Sequence, residues 1–178
     1  MNAVAEGSNA APAEPGAEDR IVSVLLQRGR LKDVDLARAR RLQEEAGGSI
    51  LALLGRLGLV SERDHAEAVA HVLGLPLVSA KDMPDAPPDG IALAPKFMKQ
   101  FAVVPVREDG GTVDVLCADP HDAYALDAVR LATARVPRPM VGLRSEIDDL
   151  VERWHGQGRS AMGAIVETAE GEGGGDLD

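Results

Sequence analysis

Histidine and cysteine are the residues of this chain best suited to metal or nucleophilic chemistry, and their spacing predicts neither. The four histidines are His65, His71, His121 and His155, and no His-Glu-x-x-His pair occurs among them. His65 and His71 stand six positions apart, which would place them on different faces of a helix. Cys117 is the only cysteine, so there is neither a Cys-x-x-Cys motif nor an internal disulfide. We therefore expect surface histidines, a small buried thiol and no metal.

Three aspartates, Asp119, Asp122 and Asp127, could form an acid–base or metal-binding cluster, but simpler roles fit their context. Asp119 precedes Pro120 as in a turn, and Asp122 stands where it would cap the next helix. The chain has no Gly-x-Ser-x-Gly motif and no Gly-Lys pair, so neither a serine nucleophile nor a Walker A loop is predicted. We do not expect this chain to be an enzyme.

Composition excludes several further classes of function. The chain has 178 residues, of which 45% are hydrophobic and 2% aromatic, and a net charge of −10. The negative charge argues against duplex nucleic acid, and the few aromatics argue against base stacking on single strands. No apolar run reaches the roughly 18 residues that span a membrane, and a lone cysteine fits a reducing cytoplasm.

The charge is distributed unevenly. The segments 1–19 and 159–178 each carry a charge of −4, and their polar, Gly-rich composition predicts disorder. Residues 20–43 contain seven Lys and Arg but only two acids, Asp33 and Asp35, which gives a local net charge of +5. Such a basic face fits an anionic ligand or an acidic partner surface, although a solvated helix face is the alternative.

The elements that would position these residues are helical in the first half. Apolar spacing and glycine stops predict helices over 20–27, 32–46, 49–57 and 62–73, with Ser49 and Ser61 as caps, followed by an extended segment over 75–78. The helix, glycine turn and next helix around Leu25 and Gly29 recur around Leu54 and Gly58 with a period of 29 residues. We therefore predict a helical subdomain over 20–78.

The second half alternates strands and helices. After an irregular linker over 79–95 we predict a helix over 95–101 and an antiparallel hairpin of strands 102–106 and 112–118. A helix capped by Asp122 to about residue 134, a strand over 139–143 and a helix capped by Ser145 to residue 154 complete the order. The predicted fold class is α+β: a helical subdomain and a small three-stranded α/β subdomain over 96–158, with disordered tails.

The order of motifs resembles the N-terminal domain of type II secretion (general secretory pathway E) ATPases over about residues 20–168. The matching segments are Leu57 with Ser61-Glu62 and Gly74-Leu75-Pro76, Phe97 and Phe101 with Pro105-Val106, Ala118 to Asp122, and Ser145-Glu146-Ile147 with Leu150 and Arg153-Trp154. In that family the domain precedes a hexameric ATPase and docks on the cytoplasmic domain of the L-type inner-membrane platform protein. The resemblance implies a docking and regulatory role in protein export, in the cytoplasm beside the inner membrane. It also implies that ATP and Mg²⁺ belong only to a downstream domain.

Part of the family belongs to a wider class that binds cyclic di-GMP through two copies of Arg-Leu-Gly-x-x-Leu-x-x-x-Gly, followed by Leu, Ala-Leu and Gln. The retained positions are Arg20, Leu25, Gly29, Leu36 and Gln43 in the first copy and Leu54 and Gly58 in the second. Val22 replaces a glycine, Arg40 replaces a leucine, and Ser49, Leu51 and His65 replace Arg, Gly and Leu. We expect cyclic di-GMP to bind weakly or not at all.

Two hypotheses from different classes follow. In the first, the chain is a protein-docking module that uses a basic surface with an apolar stripe: Arg20, Ile21, Leu25, Arg28, Leu31, Arg38 and Arg41. In the second, the repeat forms a phosphate-binding surface and the chain is a nucleotide sensor of a secretion or type IV pilus assembly ATPase.

Overall fold

The computed structural model describes residues 16–91 and 93–156. The chain divides between Ser61 and Glu62 into two compact units. The first unit consists of α1 (Ala17–Gln27), α2 (Asp33–Ala46) and α3 (Ile50–Arg56), and α3 contacts both other helices. Its buried side chains are aliphatic: Ile21, Val22, Leu25, Leu31, Ala39, Ile50, Leu53, Leu54 and Val60. The first three predicted helices are confirmed.

The first helix begins earlier than predicted. We expected a disordered leader over 1–19, but Ala17, Glu18 and Asp19 form the first turn of α1. Carboxylates are stabilised at this end of a helix by its dipole, and both acids also make contacts within the first unit. Residues 1–15 of the predicted leader and the whole predicted tail, 159–178, lie outside the described residues.

In its described residues, the second unit combines four helices with a three-stranded sheet. Its elements are α4 (Glu62–Leu73), a short 3₁₀ turn (Ala80–Asp82), α5 (Pro95–Phe101), β1 (Val103–Asp109), β2 (Thr112–Cys117), α6 (Ala123–Thr133), β3 (Val136–Val141) and α7, over 144–156. The sheet order is β1-β2-β3; β1 and β2 are antiparallel, and β2 and β3 are parallel. Helix α6 supplies the crossover that a parallel pair requires. The predicted α+β fold and its element order are confirmed.

Helices cover both faces of the sheet, as the alternation of side chains along β2 requires. Val113, Val115 and Cys117 pack with Ala125 and Val129 of α6. On the other face, the core contains Val104, Val106 and Leu116 together with Ile147, Leu150 and Trp154 of α7.

Helix α4 belongs to the second unit and not to the helical subdomain predicted over 20–78. It contacts β3, and its first residue, Glu62, accepts hydrogen bonds from the backbone N–H and the hydroxyl of Ser145. Both bonds measure 2.7 Å. These contacts are distant in sequence, so the period of the helical repeat did not reveal them.

The segment predicted as a linker over 79–95 is packed against the second unit. Ala80 is buried, and Met83 and Leu93 pack against the same core as α7. The Ser79 hydroxyl donates to Glu146 at 2.8 Å, and the Ala80 N–H donates to the same carboxylate at 2.9 Å. The irregular backbone is therefore held in place by specific contacts.

Strand β3 was predicted over 139–143 but begins at Val136, because Pro137 and Pro139 hid its first half. The Val141 N–H points away from β2 and donates to the Pro76 carbonyl at 2.9 Å. Backbone N–H groups alternate between the two sides of a strand, so positions 137 and 139 face the same side as the Val141 N–H, away from β2. The N–H groups that Pro137 and Pro139 lack would therefore not have bonded to β2. The predicted extended segment over 75–78 runs beside this edge, with a parallel bridge from Leu77 to Val141.

Two predicted caps are confirmed and one is wrong. Ser49 accepts a hydrogen bond from the Ala52 N–H at the start of α3, and Asp122 accepts one from the Ala125 N–H at the start of α6. Ser145, by contrast, lies inside the first turn of α7, which begins at residue 144. Its hydroxyl donates to Glu62, so the cap of α7 comes from another helix.

Candidate docking surface

The sequence repeat is a repeated helix ending. Gly29 follows α1 with φ of 66°, and Gly58 follows α3 with φ of 65°. After each glycine, a backbone N–H returns to the preceding helix: Arg30 to the Leu25 carbonyl at 2.8 Å, and Leu59 to the Leu54 carbonyl at 3.0 Å. A Cβ on either glycine would meet no atom within 4 Å. The two glycines are therefore required by the left-handed backbone of the turn, and not by a close neighbour.

The apolar part of the predicted docking stripe is the core of the first unit. Ile21, Leu25 and Leu31 are 0%, 1% and 4% exposed, so these three cannot form a docking surface. The correction has a simple physical cause. In a unit of three short helices, the strongest amphipathic stripe is needed to bury the unit's own apolar area.

The cationic part of the prediction does lie at the surface. Arg20, Arg28, Arg38 and Arg41 are all exposed. Arg38 and Arg41 are three positions apart on α2 and share one face of that helix. Arg20 and Arg28 lie at the two ends of α1, and no contact joins them.

An exposed valine on α2 was missed by the sequence analysis. Of the 14 residues of α2, only Ala39 is buried, and Val34 is 77% exposed. Val34, Arg38 and Arg41 follow helical spacing, and Leu42, 37% exposed, lies one turn beyond Arg38. We call these four residues the α2 stripe. The sequence did contain a signal for this exposure, because helical spacing places Val34 on a different face of α2 from Leu36 and Ala39.

Two acids in the first turn of α1 hold this helix against its neighbours. Asp19 Oδ1 pairs with Arg40 Nη2 at 2.9 Å. The Glu18 carboxylate accepts a hydrogen bond from the Ser49 hydroxyl and a longer one, 3.5 Å, from the Leu51 N–H. The sequence analysis missed both contacts because it placed Glu18 and Asp19 in the leader.

The remaining residues of the degenerate cyclic di-GMP motif divide between core and surface. Leu25 and Leu54 are 1% exposed, Leu36 and Gln43 are half-buried, and Arg20 is exposed. The Gln43 side-chain amide donates to the Gly48 carbonyl at 2.8 Å. Among the substituted positions, Val22 is 3% exposed, and Ser49 is engaged by Glu18. The polar groups Gln43 and Ser49 therefore already have partners within the first unit.

The expectation of surface histidines is right for His71 and His121, which are exposed, and wrong for His65 and His155, which are half-buried. Cys117 is buried, as expected. Burial lowers the pKa of His65, with Asp119 and Glu62 acting in the opposite direction. Burial, together with Asp119 and Asp122, raises the pKa of Cys117 to about 12, so its thiol stays protonated. Asp119 accepts a hydrogen bond from the His121 N–H at 2.9 Å, as expected of a turn.

Within 16–91 and 93–156, no group of three or more His, Cys, Asp or Glu side chains is arranged to hold a metal ion. In the same ranges, no helix combines the length and the apolar character needed to cross a membrane.

Comparison with known proteins agrees with this architecture. The MshEN domain family matches residues 73–161. The chain is 62% identical over 160 residues to type II secretion system protein E of Xanthomonas campestris. The alignment covers 88% of this chain and 28% of that protein. It is 34% identical over 125 residues to the type IV pilus assembly ATPase PilB of Thermus thermophilus, covering 68% of this chain and 14% of the relative.

Solved structures show the same fold. The N-terminal domain of XpsE superposes with a TM-score of 0.70 at 59% identity, covering 79% of this chain and 97% of that domain. A structure of MshE with cdg superposes with a TM-score of 0.61 at 19% identity, covering 80% of this chain and all of the other.

The chain therefore belongs to the MshEN domain family. The predicted resemblance to the N-terminal domain of type II secretion ATPases is confirmed, since the chain is similar to the Xanthomonas protein E over most of its length. It spans little more than a quarter of that relative.

Proposed function

We propose that this chain is the N-terminal docking and regulatory module of a type II secretion ATPase. It binds the cytoplasmic domain of the inner-membrane L-type platform protein through the α2 stripe. This contact holds the ATPase in the cytoplasm at the inner membrane, and the downstream domain supplies the chemistry with ATP and Mg²⁺.

The exposure of α2 carries this proposal. In this 14-residue helix only Ala39 is buried, so little of its surface packs against its own unit. Its exposed side chains include Val34 and Leu42, and Arg38 and Arg41 lie between them along the helix. Exposed apolar side chains beside arginines are typical of protein interfaces, in which arginine is enriched. The cations favour a partner with an acidic surface.

The two parts of the stripe should affect binding differently. Solvent-exposed charges act mainly on the association rate and its salt dependence, whereas a desolvated apolar anchor acts on the dissociation rate. Val34→Ser should therefore shorten the lifetime of the complex and leave the association rate nearly unchanged. Arg38→Glu with Arg41→Glu should slow association, most of all at low salt.

The test is a kinetic binding measurement between the 178-residue chain and the platform protein's cytoplasmic domain. Arg63→Glu is a matched control, because Arg63 is an exposed arginine of the second unit. We expect it to leave both rates within about twofold, as for surface changes outside an interface. Unchanged rates for both α2 variants would place the interface elsewhere.

The proposal also assigns hydrolysis to the downstream domain alone. Without a Gly-Lys phosphate loop, the 178-residue chain should release no phosphate from ATP above background. Steady release that follows the chain through purification would contradict this assignment.

A second candidate function is cyclic di-GMP sensing. It is favoured by the MshEN family match over 73–161 in the second unit, by the shared fold of MshE with cdg, and by the repeated turns at Gly29 and Gly58 in the first unit. Against tight binding, Val22 carries a β-branched side chain where the class has glycine, and Ser49 replaces an arginine that would pair with phosphate.

Titration calorimetry with cyclic di-GMP decides between the two candidates. We expect weak or no binding. A low-micromolar dissociation constant that is lost in Arg20→Gln would make sensing the first function. Arg20 is exposed, so this variant tests the motif without opening the core.

A further inference from the structure

The second unit has a cleft of about 670 Å³ between α5 and α7. Lys96 and Lys99 line it from α5, and Val151, Glu152 and His155 line it from α7. Gly156 also lines the cleft.

The cleft is cationic within an acidic unit. Residues 62–156 contain ten Lys and Arg against sixteen Asp and Glu, a net charge of −6. In the cleft, by contrast, two lysines face one carboxylate. Glu152 is already paired with Lys99 at 2.5 Å, and Lys96 forms no ion pair with another residue in the described part of the chain. A negatively charged occupant would therefore find an uncompensated cation here.

The cleft also offers a buried nitrogen and an apolar wall. His155 Nε2 is buried and has no hydrogen-bond partner among the described residues. Pro95 and Val151 supply apolar surface. An occupant with carboxylates, backbone acceptors and a few aliphatic side chains would match all of these groups.

We propose that this cleft is the docking site of the chain's own acidic segment, residues 159–178. The segment contains five acids and one arginine, a net charge of −4, and its aliphatic residues include Met162, Ile165 and Val166. Its chain begins within a few residues of Gly156, so it is tethered beside the cleft. This contact is independent of the α2 stripe. It fixes the direction in which the chain leaves the second unit.

Because the segment is part of the same chain, even a small contact surface can bind it for much of the time. A short flexible connection gives an effective concentration on the order of 1 mM, so a site with a similar dissociation constant is about half occupied. The occupancy should depend strongly on salt, because Lys96 is exposed and salt screens the attraction of an exposed cation for acids.

Paramagnetic broadening in the uniformly ¹⁵N-labelled 178-residue chain tests the proposal. A nitroxide on Gln100→Cys would lie on α5 near the cleft, since Gln100 is exposed. Cys117 is buried and protonated and should not take the label. If the site is about half occupied, amide signals within 160–172 should lose about half of their intensity. Raising the salt from about 0.1 M to about 1 M should restore them, because the Debye length falls from about 10 Å to about 3 Å.

A matched pair of charge reversals identifies the site. Lys96→Glu should restore the signals, whereas Lys81→Glu, the same change at an exposed lysine outside the cleft, should not. Signals that stay sharp in the parent chain, or broadening that survives Lys96→Glu, would overturn the proposal. Mixing ¹⁵N-labelled chain with nitroxide-labelled, unenriched chain checks the tether. Equal broadening in that mixture would show that a second copy supplies the segment and would likewise overturn it.

Discussion

Gly142, at the end of β3, is the position where a single added carbon should disturb the second unit most. A Cβ at this residue would lie 2.7 Å from Leu116 Cδ1 and 2.9 Å from Leu116 Cγ. Leu116 is fully buried in the core beneath α7, so it has little room to move. Overpacking of this kind typically costs about 1–3 kcal/mol. For a chain of this size, that corresponds to a fall in Tm of roughly 2–12 °C.

Urea unfolding read by the fluorescence of Trp154 measures this cost for Gly142→Ala. Trp154 is the only tryptophan, belongs to the same core as Leu116, and donates its indole N–H to the Pro84 carbonyl at 2.8 Å. A double-mutant cycle isolates the cause. In a Leu116→Ala background the colliding atoms are gone, and Gly142→Ala should cost almost nothing.

Two results would refute this reasoning: an unchanged stability of Gly142→Ala, or a cost that persists in the Leu116→Ala background. Gly55→Ala is the matched control. Gly55 lies in α3, and a Cβ there meets no atom within 4 Å. Replacing a helical glycine by alanine should stabilise by about 0.5–1 kcal/mol. Circular dichroism reads this change, because Gly55 lies in the first unit.

Two further predictions concern the buried titratable groups. Because burial lowers the pKa of His65, the unfolded chain takes up a proton that the folded chain resists. The free energy of unfolding should therefore decrease as the pH falls below about 6.5, and urea titrations at several pH values should show a shallower decrease in His65→Gln; an unchanged slope would contradict the assignment. Since burial and nearby aspartates raise the pKa of Cys117 to about 12, a chromogenic disulfide reagent at pH 8 should react with the thiol only after denaturation. Rapid reaction of the folded chain would show that the thiol is accessible.

Local sequence signals predicted most of the fold. Ser49 and Asp122 cap helices as expected, and Gly29 and Gly58 end them, because each of these roles depends on a few neighbouring residues. The hairpin of β1 and β2 was also predicted, but β1 continues to Asp109, so the turn is the two residues Gly110-Gly111 and not the five residues 107–111. Both glycines have positive φ.

Features that depend on distant contacts could not be predicted in this way. The assignment of α4 to the second unit rests on contacts with β3 and Ser145. The first half of β3 was missed because proline is tolerated in a strand only where its position faces no neighbouring strand. The sequence does not show which side of β3 has no neighbour.

For the candidate site, sequence analysis found the charges but not the apolar anchor. Exposed arginines are predictable because a charged side chain is rarely buried without a partner. Ile21 and Leu25 were misassigned because an apolar stripe looks the same whether it faces a core or a partner. The exposure of Val34, on a helix in which only Ala39 is buried, distinguishes the two.

The most direct test of the proposed docking uses the triple variant Arg28→Glu, Arg38→Glu and Arg41→Glu. Its affinity for the platform protein's cytoplasmic domain is measured against the parent chain over a series of salt concentrations. If each arginine contributes as an exposed ion pair, binding at low salt should weaken by about 3- to 150-fold. Its salt dependence should flatten, with most of the loss in the association rate. Affinity and salt dependence equal to those of the parent chain would contradict docking through the basic helical unit.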